Sequence, residues 1–135
     1  MATPRAVLVA LRATLAGVSG LVESQQVQDE HRAAPELDRS WTCDLLDTTT
    51  TQGRVRGVRH LVSRLQVLTA HRIRTPGPQL SRLDALDEEE TIREALEGTT
   101  AAGVSGVRVE RVQRSTTGDR QYHLTSFDVS CSHTD

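Results

Sequence analysis

Residues Arg59–Gly98, RHLVSRLQVLTAHRIRTPGPQLSRLDALDEEETIREALEG, decide the fold class. Leu61, Leu65, Val67 and Ile73 fall on one side of a period of two, with Arg64, Gln66 and Arg72 on the other. That is the pattern of a long strand with one wet face. Leu61, Leu65 and Leu68 also admit a helix, and the strand is the preferred reading. The TPGP connector, Thr75–Pro78, ends the element, because proline has no backbone donor and Gly77 tolerates positive φ. Beyond it the sequence predicts a helix over Leu83–Gly98. Ser81 with Asp84 and Asp87 with Glu90 have capping-box spacing, and Ile92, Ala95 and Leu96 make a short apolar stripe.

Charge is sorted along the same stretch. Thr48–Leu83 holds seven arginines and no acid, whereas Asp84–Glu97 holds seven acids and one arginine. A solvated helix with carboxylates near its positive end, beside a strand with a wet face, accounts for any one of these residues. The sharper reading is a heterologous contact, in which the acidic surface of one subunit meets the basic surface of its neighbour and the contact repeats around a ring. Its candidate residues are Arg54, Arg56, Arg59, Arg64 and Arg72 on the basic side, and Asp84, Asp87, Glu88, Glu90 and Glu94 on the acidic side.

Upstream, Thr3 and Pro4 start a helix, with a capping hydroxyl followed by proline in the first turn. Val7, Leu8, Leu11, Leu15 and Val18 recur at three- and four-residue spacing, so the helix over Pro4–Val18 should lay one face on a sheet. A short strand is expected within Leu21–Arg32, then a loop over His31–Ser40. Trp41, Cys43 and Leu45 alternate with Thr42, Asp44 and Leu46 as a half-buried strand. Thr49–Gly57 reads as the exposed tip of a long hairpin joining this strand to the Leu61 strand, and its arginines make it a candidate docking arm.

Downstream, Val107 and Val109 alternate with Arg108 and Glu110, and the parity slips at Arg111–Val112 as a bulge would produce. Ser115–Asp119 has turn composition. The last strand, from Gln121 to about Cys131, slips too, with Tyr122 and Leu124 in one register and Phe127, Val129 and Cys131 in the other. A second bulge near Thr125–Ser126 would bring all five to the core face. The closing SHTD reads as a polar, mobile tail.

Composition narrows the function classes. The 135 residues are expected to form one domain with an almost wholly aliphatic core, since Trp41, Tyr122 and Phe127 are the only aromatics. The net charge of −2 implies no overall attraction to nucleic acid, and the basic stretch has no aromatic to stack bases. Cys43 and Cys131 sit on apolar strand faces and are expected to be buried, reduced thiols. The longest apolar run, Ala6–Leu11, is far too short to cross a bilayer, and the chain is expected to be made and used in the cytoplasm. The five histidines lack metal-ligand spacing, no GxSxG or Cys–His signature occurs, and Asp87–Glu90 point different ways around a helix turn. Neither an enzyme nor a cofactor is expected.

The order of elements carries a resemblance. An N-terminal helix, the strand WTCDLLDTT, a basic loop, the strand ending LTAHRIR, a Pro/Gly connector, the acidic helix LDALDEEETIREALEG and a final hairpin together resemble the tail terminator (tail completion) proteins of long-tailed bacteriophages and related gene-transfer particles. The likeness spans nearly the whole chain, and Leu68–Arg74 followed by Leu83–Leu96 are its most specific parts. It implies an α+β subunit that forms a ring, usually of about six copies, on the head-proximal end of the tail tube. Such a ring stops tube growth and joins the tail to the head. Implied partners are further copies of the chain, the tail tube protein and a head–tail connector or adaptor, with DNA only as passing cargo and no membrane. The implied location is the neck of a virion assembled in the host cytoplasm. Another neck component, or an arginine-dependent nucleic-acid module, is the alternative. The fold expected is an antiparallel sheet of four or five strands with long hairpins and two helices packed on one face.

Overall fold

A computed structural model describes residues 2–18, 20–23, 39–55, 57–73, 78–116 and 122–135, and the side chains of 52–55 and 78–81 lie outside that description. The described elements run α1 (Pro4–Ala16), β1 (Val22–Glu23), β2 (Ser40–Val55), β3 (Val58–Arg72), α2 (Pro78–Glu97), β4 (Val104–Thr116) and β5 (Tyr122–Thr134). They build one five-stranded sheet of order β1-β2-β3-β5-β4, an α+β fold. β2, β3, β5 and β4 are successively antiparallel, but β1 pairs parallel with β2 through Val22↔Ser40, so the sheet is mixed.

The alternation in β3 holds. Leu61, Ser63, Leu65, Val67, Thr69 and His71 are buried, Arg64 and Arg72 are exposed, and Gln66 is half-buried between them. Leu65 and Val67 of this set meet Trp41 and Cys43 of β2, Phe127, Val129 and Cys131 of β5, and Val107 and Val109 of β4 in a single core. Both helices cover that face. α1 is capped by Thr3, whose hydroxyl accepts from the Ala6 N–H at 3.2 Å, and it buries Val7, Leu11 and Leu15. α2 starts at Pro78, earlier than the capping-box spacing suggests. A proline in the first turn loses no helical hydrogen bond, so the helix can begin there, and Ser81, Asp84 and Asp87 lie inside it rather than at its start. Ala85, Glu89, Ile92 and Leu96 form its buried stripe, with Ala95 half-buried beside them.

The slip in β4 is a real irregularity, with the register shifting between Val109 and Arg111. The slip in β5 is not. β5 pairs β3 without a break from Tyr122↔Arg72 to Thr134↔His60, so no bulge lies near Thr125–Ser126. Tyr122 and Leu124 instead lie on the face away from the helices, clustered with Leu68 and Ala70. The two apolar registers of this strand serve two different clusters.

The closing residues are built into the sheet rather than loose. β5 runs to Thr134, whose N–H donates to the Gly103 carbonyl at 2.8 Å and whose carbonyl accepts from the Ala2 N–H at 2.6 Å. His133 is buried. Its Nδ1 lies 2.7 Å from the Ala2 carbonyl and its Nε2 lies 2.7 Å from Ser63 Oγ, which in turn lies 2.8 Å from Thr48 Oγ1. A carbonyl only accepts, so Nδ1 carries the hydrogen of that first bond. Cys43 and Cys131 are free thiols on strands kept apart by β3, each paired across to a β3 residue. Burial pushes the Cys43 thiol up to about 12 and the Cys131 thiol up to about 11. The expected loop over His31–Ser40 lies largely outside the described residues, as does most of the expected turn at Ser115–Asp119.

Candidate subunit interface

The hairpin that carries the basic residues is longer in pairing and shorter in reach than its sequence suggests. β2 and β3 pair up to Val55↔Val58, and Gly57 before Val58 has φ +81, a value that glycine adopts freely and L-residues resist. β5 supports β3 as far as His60, so only residues 52–58 pass the end of the neighbouring strand. Arg54 lies near the end of β2, and its side chain and all of Arg56 fall outside the described residues.

The other arginines divide by partner. Arg59 is turned toward the end of the chain, with Nη2 donating to Asp135 Oδ2 at 2.6 Å and Nε buried without a hydrogen-bonding partner. Arg64 stands on the sheet face away from the helices and is paired with Asp47, Nε lying 2.9 and 3.1 Å from its two carboxylate oxygens. The hydrogen bond from Arg64 holds the Asp47 carboxyl below its usual range, and Asp47 raises the guanidinium in turn. Arg72 closes β3 on the same face, exposed and opposite Tyr122. That face continues through Arg108, which shares a row with Arg64 and Ser130, and Arg111, which shares one with Gln66 and Asp128. A shallow hollow of about 380 Å³ lies between Leu46, Arg64, Arg111 and Asp128.

The acidic helix has two sides. Asp84, Asp87, Glu90 and Glu94 are exposed and form no ion pair among the described residues, with Leu83 57% exposed among them. Glu88 is not part of that outer face: its Oε2 accepts from Arg39 Nε at 2.6 Å with the Glu88 side chain 11% exposed. Glu89, passed over as one more acid in the run, sits in the buried stripe and accepts from Arg114 Nε and Nη2 at 2.7 and 2.6 Å. Glu89 lies four residues after Ala85, three before Ile92 and seven before Leu96, the spacing of a single helix face, and that spacing was the available signal. The pair ties α2 to β4 and raises the Arg114 guanidinium.

The free acids therefore lie on the helix side of the subunit, and Arg64 and Arg72 lie on the reverse face of the sheet. The two sets do not neutralise each other within one molecule.

Ser63 and His133 are spaced like a nucleophile and its base, but they are 0% and 1% exposed, and no substrate reaches them. Among the described residues no group of three or more His, Cys, Asp or Glu side chains could hold a metal ion. No described helix is long and apolar enough to cross a membrane.

No family model and no curated protein matches the chain. Its structure is nevertheless similar to a chain of a solved structure described as the virion of a native gene transfer agent (GTA) particle, with a TM-score of 0.55 and 13% sequence identity. This fold occurs in a virion. The match covers 99% of this chain and 96% of the other, so the likeness runs end to end rather than over one motif.

Proposed function

We propose that this chain is a structural subunit of a phage-like virion, a single tail-terminator-like domain over residues 1–135. The observation that carries the reading is the end-to-end fold likeness to a chain of a gene transfer agent virion, together with the element order that resembles tail terminators. Copies assemble into a ring, of about six by analogy with the family, that caps the head-proximal end of the tail tube and joins it to the head connector. The mechanism is steric: ring subunits occupy the last exposed tube edge, and a further tube subunit has nowhere to add.

The placement of charge supports a head-to-tail contact. Acids on the helix side and arginines on the reverse face and hairpin are complementary surfaces on different sides of one subunit, as a heterologous ring requires. In this reading Asp84, Asp87, Glu90 and Glu94 of one copy face Arg54, Arg56, Arg64 and Arg72 of the next. Glu88 and Arg59 act inside the subunit instead. The partners are further copies, the tail tube protein and a connector or adaptor, in the neck of a particle assembled in the host cytoplasm, with DNA as passing cargo.

Light scattering and negative-stain imaging at low and high salt, with purified tail tubes included, test the proposal. Rings of about six subunits or density capping one tube end are expected. Reversing Arg54 and Arg56 to Glu should abolish assembly or capping while the monomer stays folded. A salt-insensitive monomer that ignores tubes and binds DNA in a salt-dependent way would refute the terminator reading and favour a nucleic-acid module.

A further inference from the structure

Beyond the end of β5, one residue continues the ladder. Arg59 N–H donates to the Asp135 carbonyl at 2.8 Å and Asp135 N–H donates to the Arg59 carbonyl at 3.0 Å, a reciprocal pair one step past His60↔Thr134. The side chains repeat the connection, Arg59 Nη2 to Asp135 Oδ2 at 2.6 Å, with the Asp135 side chain only 24% exposed. Past this point the hairpin has no neighbour on its β3 side among the described strands. A two-stranded ribbon is marginal alone in water, and its direction is set where its support ends. Among the described residues Asp135 is the outermost such support.

We propose that Asp135, acting through Arg59, fixes the direction in which the β2–β3 hairpin leaves the sheet, so that Arg59 serves docking as a positioning residue and does not touch the partner. This rests on the docking role proposed above for the hairpin. Three features agree on it. The Arg59 Nε is buried and turned into the subunit, although the side chain as a whole stays 42% exposed. The carboxylate that meets it comes from the far end of the chain, so the contact joins two segments that local structure alone would not hold together. On the β2 side, the Thr48–Ser63–His133 chain of hydrogen bonds ties the root of the same hairpin to the same closing residues.

The test compares Arg59→Ala, Asp135→Ala and the exchanged pair Arg59→Asp with Asp135→Arg in the full chain. Hydrogen exchange of the hairpin amides is read alongside capping of purified tail tubes. Each single change should speed exchange over residues 58–62 about fivefold while leaving residues 65–70 unchanged, the scale of one partly exposed ion pair. Each should also weaken tube capping, and the exchanged pair should restore both readouts. Hairpin amides that exchange at the native rate in both single variants would overturn the proposal. So would an exchanged pair that recovers protection without recovering capping, because Arg59 would then be a contact residue. If the native chain itself caps no tube, the terminator reading falls, and the exchange rates still decide whether Asp135 holds the hairpin.

Discussion

Removing Arg114 should destabilise this protein more than removing the glutamate that it pairs with. Both oxygens of Glu89 accept from the guanidinium, at 2.7 and 2.6 Å, and the Glu89 side chain is 10% exposed against 46% for Arg114. Breaking a fully buried pair from one side costs about 3–5 kcal/mol, because the other charge is left without compensation. An exposed pair is worth only about 0.2–1 kcal/mol. Water reaches the arginine end here, so Arg114→Ala should cost about 2 kcal/mol, within the range of a charge-assisted hydrogen bond. For a chain of this length that lowers Tm by about 6–8 °C. Glu89→Leu should cost less than about 1 kcal/mol, since it keeps the apolar stripe of α2 continuous and the half-exposed arginine can turn to solvent. Adding Glu89→Leu to Arg114→Ala should then recover most of the loss. Urea and thermal unfolding of the three variants, followed by circular dichroism, would decide. An Arg114→Ala protein within about 0.5 kcal/mol of native, or a double variant no more stable than Arg114→Ala alone, would refute the assignment of Glu89 as a buried charge that depends on its partner.

Two further outcomes follow from titrating groups. Burial holds the Cys43 thiol at about 12 and the Cys131 thiol at about 11. A thiol reagent at about pH 8 should leave both unmodified in the native protein and label both once denaturant is added, and rapid labelling without denaturant would contradict the packing. Burial first, then Arg82 and His71, push the His123 pKa below its ordinary 6.5. The unfolded chain thus takes up this proton before the native one does. Its contribution to stability is complete above about 6.5 and is lost as pH falls toward the lowered native value. The urea midpoint should drop across that window, and His123→Gln should flatten the drop; an unchanged slope would place the acid sensitivity elsewhere.

The fold was largely legible where one face of an element is wet. β3 announces itself because Arg64 and Arg72 interrupt an apolar row at a period of two, and α1 because its cap and stripe agree. Legibility failed where a residue works against its type. Pro78 reads as a breaker yet opens a helix, and Glu89 reads as surface yet lies in the core. Tyr122 and Leu124 suggested a bulge because a single buried face was assumed, whereas the sheet keeps an apolar cluster on each side. The segregation of acids from arginines was plain in the sequence. That Arg59 and Glu88 are paired inside the subunit depends on Asp135 and Arg39, each far away in the chain, and no local pattern announces either contact.

The strand order has a consequence for synthesis. β5 is the last of the described strands in sequence, yet it lies between β3 and β4, and it brings Phe127, Val129 and Cys131 into the core. Until it emerges from the ribosome, β3 and β4 have an empty place between them, and the helices have half a sheet to cover. Most of the pairing is non-local and must wait for the last part of the chain, which favours slow, late folding. A nascent chain stalled before Tyr122 should have no stable core.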